Sequence, residues 1–171
     1  YQFYFDAVLS LICGAVGLCW YSYNQIKEQP NLLWAVRELA GLIRSELGEA
    51  LLRGQNKNLA IEPDVRQFTS LLSDSMVKDL QPNPALYQRV IEYGSYYYIL
   101  LANACQPEGA VRATITCSNI LDWKQIYGND QIEWLAKNKC VVTLQPLEAV
   151  IYRAKINSYH THTGTWKWRE E

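Results

Sequence analysis

The two histidines are the residues of this sequence whose spacing comes closest to that of a metal site. His160 and His162 alternate, and alternate residues of an extended chain share a face, so both imidazoles could reach one ion. No third ligand lies near them in the sequence, and we interpret both as ordinary exposed polar residues. The motifs of phosphate-binding loops, dinucleotide-binding turns, zinc proteases and serine hydrolases are absent. The sequence therefore predicts no catalytic residue, no metal ion and no cofactor.

The five cysteines fall into two groups. Cys13 and Cys19 lie in an apolar run, where a thiol behaves as a small hydrophobic group. Cys105, Cys117 and Cys140 are disulfide candidates, and three thiols allow at most one internal bridge. Their spacing does not select a pair. A bridge would indicate an oxidising compartment, whereas nucleophilic catalysis would require a histidine of the C-terminal tail to fold onto one of the thiols.

Charge excludes one broad class of function. The 171 residues carry 16 basic and 17 acidic side chains, which gives a formal net charge of −1. These charges are mixed along the chain, whereas nucleic-acid binding usually needs a basic face or stripe. We therefore expect no nucleic-acid partner.

An uncharged stretch covers residues 7–26. A helix of about 20 residues is about 30 Å long, which matches the hydrocarbon thickness of a bilayer. Trp20, Tyr21 and Tyr23 lie at its end, as aromatic residues do at a membrane interface. The stretch predicts a membrane-spanning helix; the alternative is a helix buried in a protein core.

Asp6 is an acid at the start of this apolar helix. Such a carboxylate either contacts water at the membrane interface or pairs with a charge from another subunit. Further along, Gly14 and Gly17 would let a second helix approach closely. These three residues are candidates for assembly contacts.

The rest of the chain is predicted to be helical first and β-rich later. Pro30 interrupts the helix, and apolar residues then recur at three- and four-residue steps from Leu32 to Arg53 before Gly54, a suitable C-cap. Further helices are predicted at 65–80, 86–93 and from Ile120 onward. The predicted strands are 96–104 and 110–117, as a hairpin, and 140–144 and 149–156.

We therefore predict an α+β fold with a long N-terminal helix. The first half of the helix is transmembrane, and the second half is amphipathic and packs on a helical segment and a small antiparallel sheet. The predicted parts are a membrane or filament-core helix (1–26), its amphipathic continuation (27–54), a globular domain (55–156) and a polar tail (157–171).

This arrangement resembles type IV pilins and type II secretion pseudopilins. The likeness lies in the segment Phe3-Tyr4-Phe5-Asp6-Ala7-Val8-Leu9 and in the amphipathic run that ends before Gly54. It implies a structural subunit whose hydrophobic helices pack into a filament core, with Asp6 paired to the amine of a neighbour's first residue, here Tyr1. The first residue is not methionine, as expected after removal of a leader.

The resemblance implies that the partners are copies of the chain itself and membrane lipid, and that the location is a membrane or a cell-surface filament. The alternative is a single-span accessory subunit of a respiratory, photosynthetic or secretion complex, with Gly14 and Gly17 docking other membrane subunits. A membrane-tethered enzyme is a third possibility.

Overall fold

A computed structural model describes residues 2–19, 28–68, 83–104, 109–128 and 132–157. The described chain contains three short helices, α1 (Gln2–Ile12), α2 (Pro30–Ile43) and α3 (Glu46–Arg53). The strands are β1 (Gln55–Lys57), β2 (Ala60–Pro63), β3 (Gln67–Phe68), β4 (Asn83–Pro84), β5 (Leu86–Tyr93), β6 (Tyr96–Asn103), β7 (Val111–Thr116), β8 (Ile120–Tyr127), β9 (Ile132–Ala136), β10 (Lys139–Leu144) and β11 (Ala149–Ile156).

Two antiparallel sheets form the body of the molecule. The first sheet has the strand order β1-β5-β6-β11-β8, and the second has the order β2-β7-β10-β9; β3 and β4 form a separate pair. Alternate residues of both sheets face inward and form a shared core. Its buried members include Val90, Leu101, Ile115, Val142 and Tyr152.

The helices cover the other face of the first sheet. Phe5, Val8 and Leu11 of α1 and Leu47 of α3 pack with sheet residues such as Leu100 into a second core. The molecule is therefore built of three layers, a helical layer and two sheets. This corrects the predicted fold class, because antiparallel sheet dominates the described chain and the long N-terminal helix is absent from it.

The apolar N-terminal run forms a short helix. The 11 residues of α1 rise about 16 Å, roughly half the hydrocarbon thickness of a bilayer. The chain leaves the helix at Gly14, which has a φ of +106° that L side chains rarely adopt. No helix in the described ranges is long and apolar enough to cross a membrane.

The predicted transmembrane anchor is therefore wrong, and so is the membrane or cell-surface location derived from it. Val8 and Leu11 are fully buried against the chain's own sheet. Hydropathy indicates that a segment is buried away from water, but it does not distinguish burial in lipid from burial in a protein interior. The aromatic cluster Trp20, Tyr21 and Tyr23 lies outside the described residues.

Several local predictions are confirmed. The strands predicted at 96–104, 110–117, 140–144 and 149–156 correspond to β6, β7, β10 and β11. Gly54 follows α3 and donates its N–H to the carbonyl of Ala50. Arg53 and Glu49 form the i, i+4 ion pair expected on a helix surface, at 3.2 Å.

Other local predictions are wrong. The segments predicted as helices at 86–93 and after Ile120 are β5 and β8. β6 and β7 do not form a hairpin, since they belong to different sheets. The helix predicted from Leu32 to Arg53 is divided between Ile43 and Glu46. Of the helix predicted at 65–80, residues 67–68 form β3 and the residues after 68 lie outside the described ranges.

Candidate functional site

A groove of about 490 Å³ lies where the helical layer meets one end of the first sheet. Its walls are aromatic and acidic, with Tyr4 and Phe5 from α1, Trp34 and Glu38 from α2, and Tyr127 from β8. The remaining lining residues are Asn31, Gly128, Leu147, Glu148 and Ala149. The volume is within the range of small-molecule sites in proteins.

Burial of neighbouring residues fixes the two helices that form the groove. Phe5 is buried under α1, which orients the adjacent Tyr4 toward α2. The Tyr4 hydroxyl donates a hydrogen bond to Glu38 Oε2 at 2.6 Å. Trp34 precedes Glu38 by four residues and therefore shares its helix face; 63% of its surface is exposed.

The sheet contributes Tyr127, the last residue of β8. Its ring lies 5.5 Å from the Tyr4 ring, centroid to centroid, at an angle of 31°. The two phenols thus join the sheet to α1, and Glu148 lines the same groove.

A strained turn carries Glu148. Leu147 has a φ of +58°, the one positive value found at a non-glycine residue in the described chain. The turn is held by backbone bonds from Leu147 N–H to the carbonyl of Asn103, at 3.0 Å, and from Asn103 N–H to the carbonyl of Glu148, at 2.9 Å. In addition, Glu148 Oε2 accepts the N–H of Gln145 at 2.7 Å. A non-glycine residue in this conformation is a common feature of functional turns.

Asn103 anchors this turn from within the protein. Its side chain is fully buried, and its amide donates to the carbonyls of Gly109, at 2.9 Å, and Leu144, at 3.0 Å. A buried amide with these bonds is costly to replace by an apolar residue, because both carbonyls would lose their donor.

The groove has a negative electrostatic field. Burial raises the pKa of Tyr127, and the neighbouring Tyr4, Glu38 and Glu148 raise it further. Burial also raises the pKa of Tyr4, as do the hydrogen bond to Glu38 and its charge. The carboxylates of Glu38 and Glu148 therefore both raise the pKa of the Tyr127 phenol. No lysine, arginine or histidine is among the described lining residues.

A second aromatic surface closes one side of the sandwich, where β8 and β9 are the outermost strands of their sheets. The Trp123 and Trp134 rings meet edge to face, 5.7 Å apart, and Trp123 lies 5.8 Å from buried Tyr152. Trp134 remains 49% exposed, and Leu121 on β8 and Leu135 on β9 are also exposed.

Three of the four residues predicted for assembly lie within the described chain, and their assembly role stays a prediction. Asp6 is exposed on α1, and Gly14 and Gly17 are exposed after it. A Cβ atom at either glycine would have no neighbour within 4 Å among the described residues. Tyr1 lies outside the described residues, as do His160 and His162.

The four cysteines within the described residues carry free thiols. Cys140 is buried in the core and Cys117 is half-buried beside it; both are unbridged, and Cys105 lies outside the described residues. Burial raises the pKa of Cys140 to about 11, with a smaller contribution from Cys117. The thiolate is the nucleophilic form, so Cys140 is a poor nucleophile near neutral pH.

Sequence reasoning missed the groove because its residues come from four separate segments. The tyrosines at 96–98 serve packing and ion pairing. Tyr98 donates to Glu46 Oε2 at 3.2 Å, and Arg153 pairs with the same carboxylate and stacks over Tyr96. This cluster attaches α3 to the first sheet.

Comparisons with family models, with curated proteins and with solved structures give no match to this chain. The groove and the exposed apolar side chains of β8 and β9 are the structural features that bear on function.

Proposed function

We propose that the chain is a structural subunit that binds copies of itself through the edge strands β8 and β9. The observation that carries the proposal is the group of exposed apolar side chains on these two strands, Leu121, Trp134 and Leu135. We define the edge surface as these three residues together with Trp123.

Two outermost strands meet at the edge surface, one from each sheet. An outermost strand offers backbone N–H and C=O groups to another chain, and adding a strand is a common mode of protein association. Natural proteins usually protect such edges with charges or with a covering element. Here Trp134 and Leu135 are about half exposed on β9.

The composition of the surface also supports association. Tryptophan is among the residues that contribute most binding energy at protein interfaces. A polar rim adjoins it, because Arg112 and the β9 residue Glu133 form an exposed ion pair at 3.1 Å. An apolar centre with a charged rim is typical of protein–protein interfaces.

The proposal keeps the structural role and the identical partners that the family resemblance implied, but it changes the surface that binds. The apolar face of α1 is occupied by the chain's own sheet. It is therefore unavailable for packing against the helices of neighbouring subunits.

The test compares Leu135→Lys with a matched control, Leu52→Lys. Leu52 on α3 is 63% exposed and Leu135 is 51% exposed, so neither substitution removes a buried side chain. We expect wild type to self-associate in analytical ultracentrifugation. Leu135→Lys should weaken this association by about tenfold or more, whereas Leu52→Lys should leave it unchanged.

Circular dichroism and thermal melting would verify that both variants fold. A wild-type protein that stays monomeric at about 100 μM would contradict the proposal, since a specific contact between copies should be populated there. Equal weakening by both substitutions would also count against it, because the effect would then be a general one of added charge.

A further inference from the structure

We propose that the groove formed by Tyr4, Trp34, Glu38, Tyr127 and Glu148 binds an organic ammonium group. This inference goes beyond self-association, because its main side chains, Trp34 and Glu38, lie on α2 and not on the edge surface.

The groove is acidic. Glu38 and Glu148 both line it, one on a helix and one on a turn of the sheet. Their hydrogen bonds come from neutral donors, the Tyr4 hydroxyl and the Gln145 N–H. Within the described ranges, neither carboxylate forms an ion pair. A cation entering the groove would therefore meet two carboxylates that no described side chain neutralises.

The groove also has an aromatic wall. The face of an aromatic ring attracts cations, tryptophan most strongly, and quaternary ammonium groups are recognised by cages of such rings. Trp34, Tyr4 and Tyr127 line one cavity, and the Tyr4 and Tyr127 rings lie 5.5 Å apart. Because both phenols remain protonated at neutral pH, the rings add no charge of their own.

The same side chains disfavour other classes of ligand. An anion would be repelled by both carboxylates, and a purely apolar ligand would leave them desolvated without a partner. An alkylammonium group satisfies both requirements, since its carbon atoms contact the rings while its charge faces the carboxylates. It could belong to a small molecule or to a lysine side chain of another protein.

The experiment titrates the protein with choline and with its neutral isostere 3,3-dimethyl-1-butanol, monitored by calorimetry. We expect choline to bind and the isostere, which has the same shape but no charge, to bind at least about tenfold more weakly. A capped tripeptide containing one lysine serves as a second ligand. Tighter binding of choline indicates a small-molecule site, and tighter binding of the peptide indicates a lysine of a partner protein.

The variants test the two walls separately. Glu38→Gln and Trp34→Ala should each weaken binding of the preferred ligand by about tenfold, and Glu148→Gln provides an independent test should either fail to fold. Glutamine can still accept the Tyr4 hydrogen bond, so Glu38→Gln changes charge and not packing. The matched controls, Glu133→Gln and Trp134→Ala, lie outside the groove and should not change the titration.

Absence of binding by both cations would overturn the inference, as would equal binding of choline and its isostere. Because the control variants lie at the edge surface, failure of self-association and failure of ammonium binding would be observed separately.

Discussion

Glu148 shows how a functional group can be placed by residues distant from it in sequence. Its carboxylate reaches the groove because the turn at Leu147 is held by Asn103, a buried amide at the end of a different strand. Asn103 is the polar residue that ends β6 after a run of apolar residues, which is the local signal that could have identified it. The partners of its amide were not predictable from sequence, because they depend on how strands from both sheets meet.

The buried thiol of Cys140 gives a prediction at the residue scale. Its pKa of about 11 exceeds the ordinary thiol value because burial disfavours the thiolate. We expect Cys140 in native protein at pH 8 to react with a thiol reagent at least about 100-fold more slowly than an exposed cysteine such as Cys13. Mass spectrometry of the labelled peptides measures both rates.

The pH dependence follows from the direction of the same shift. A thiol whose pKa is raised on folding contributes stability that is fully present below about pH 9 and is lost as the pH rises through about 11. The valine variant of Cys140 should therefore lose less stability than wild type over this interval. Rapid labelling of native Cys140 at pH 8 would show that the thiol is not buried as described.

At the scale of elements, the break between α2 and α3 was not apparent in the apolar periodicity. Ser45 caps α3 by accepting the N–H of Leu47 at 3.3 Å, and its hydroxyl donates to the carbonyl of Leu42. The break folds α3 back so closely that a Cβ atom on Gly48 would lie 1.7 Å from the carbonyl oxygen of Ile43. Periodicity continues through such a break, so one long helix was predicted.

Two glycine substitutions test this geometry. Gly48→Ala should lower the free energy of unfolding by about 3 kcal/mol, because the backbone of Ile43 must move. Gly41→Ala, in α2 with open space around it, should raise it by about 0.5–1 kcal/mol through improved helix propensity. Urea denaturation measures both. A stabilising effect of Gly48→Ala would indicate the continuous helix that the sequence suggested.

Strand prediction succeeded where the signal is local and failed where it is not. The alternation in β7 and the aromatic and aliphatic composition of β6 identify strands by themselves. The spacing of Leu86, Val90 and Tyr93 fits a helix equally well, and β5 is a strand because β1 and β6 pair with it on both sides. Pairing partners are determined by tertiary contacts, which also explains why the predicted hairpin of β6 and β7 was wrong.

At the scale of the whole molecule, the central error concerns what surrounds the apolar N-terminal segment. Phe5, Val8 and Leu11 face the first sheet, so the chain itself provides the apolar environment that the segment requires. The sheet residues that receive α1 come from β5, β6 and β11, far along the sequence. These sheet residues could not be identified from the sequence alone as the partners of α1.

This arrangement changes which surfaces can take part in assembly. With α1 packed on the sheet, the exposed apolar side chains of the described body include Trp34 in the groove and Trp134 and Leu135 at the edge surface. Trp34 has acidic neighbours in the groove, which suit a cation. The others lie on an outermost strand suited to a second copy.

Amide hydrogen exchange at two protein concentrations tests the central claim most directly, because association through β8 and β9 must protect the amides on the outer side of these strands, where no other strand of the described residues pairs with them. We predict that exchange in β8 and β9 slows by about tenfold or more between about 1 and 100 μM protein, while β1, the outermost strand at the opposite end of the first sheet, is unchanged. Exchange in β8 and β9 that is independent of concentration would contradict the proposal.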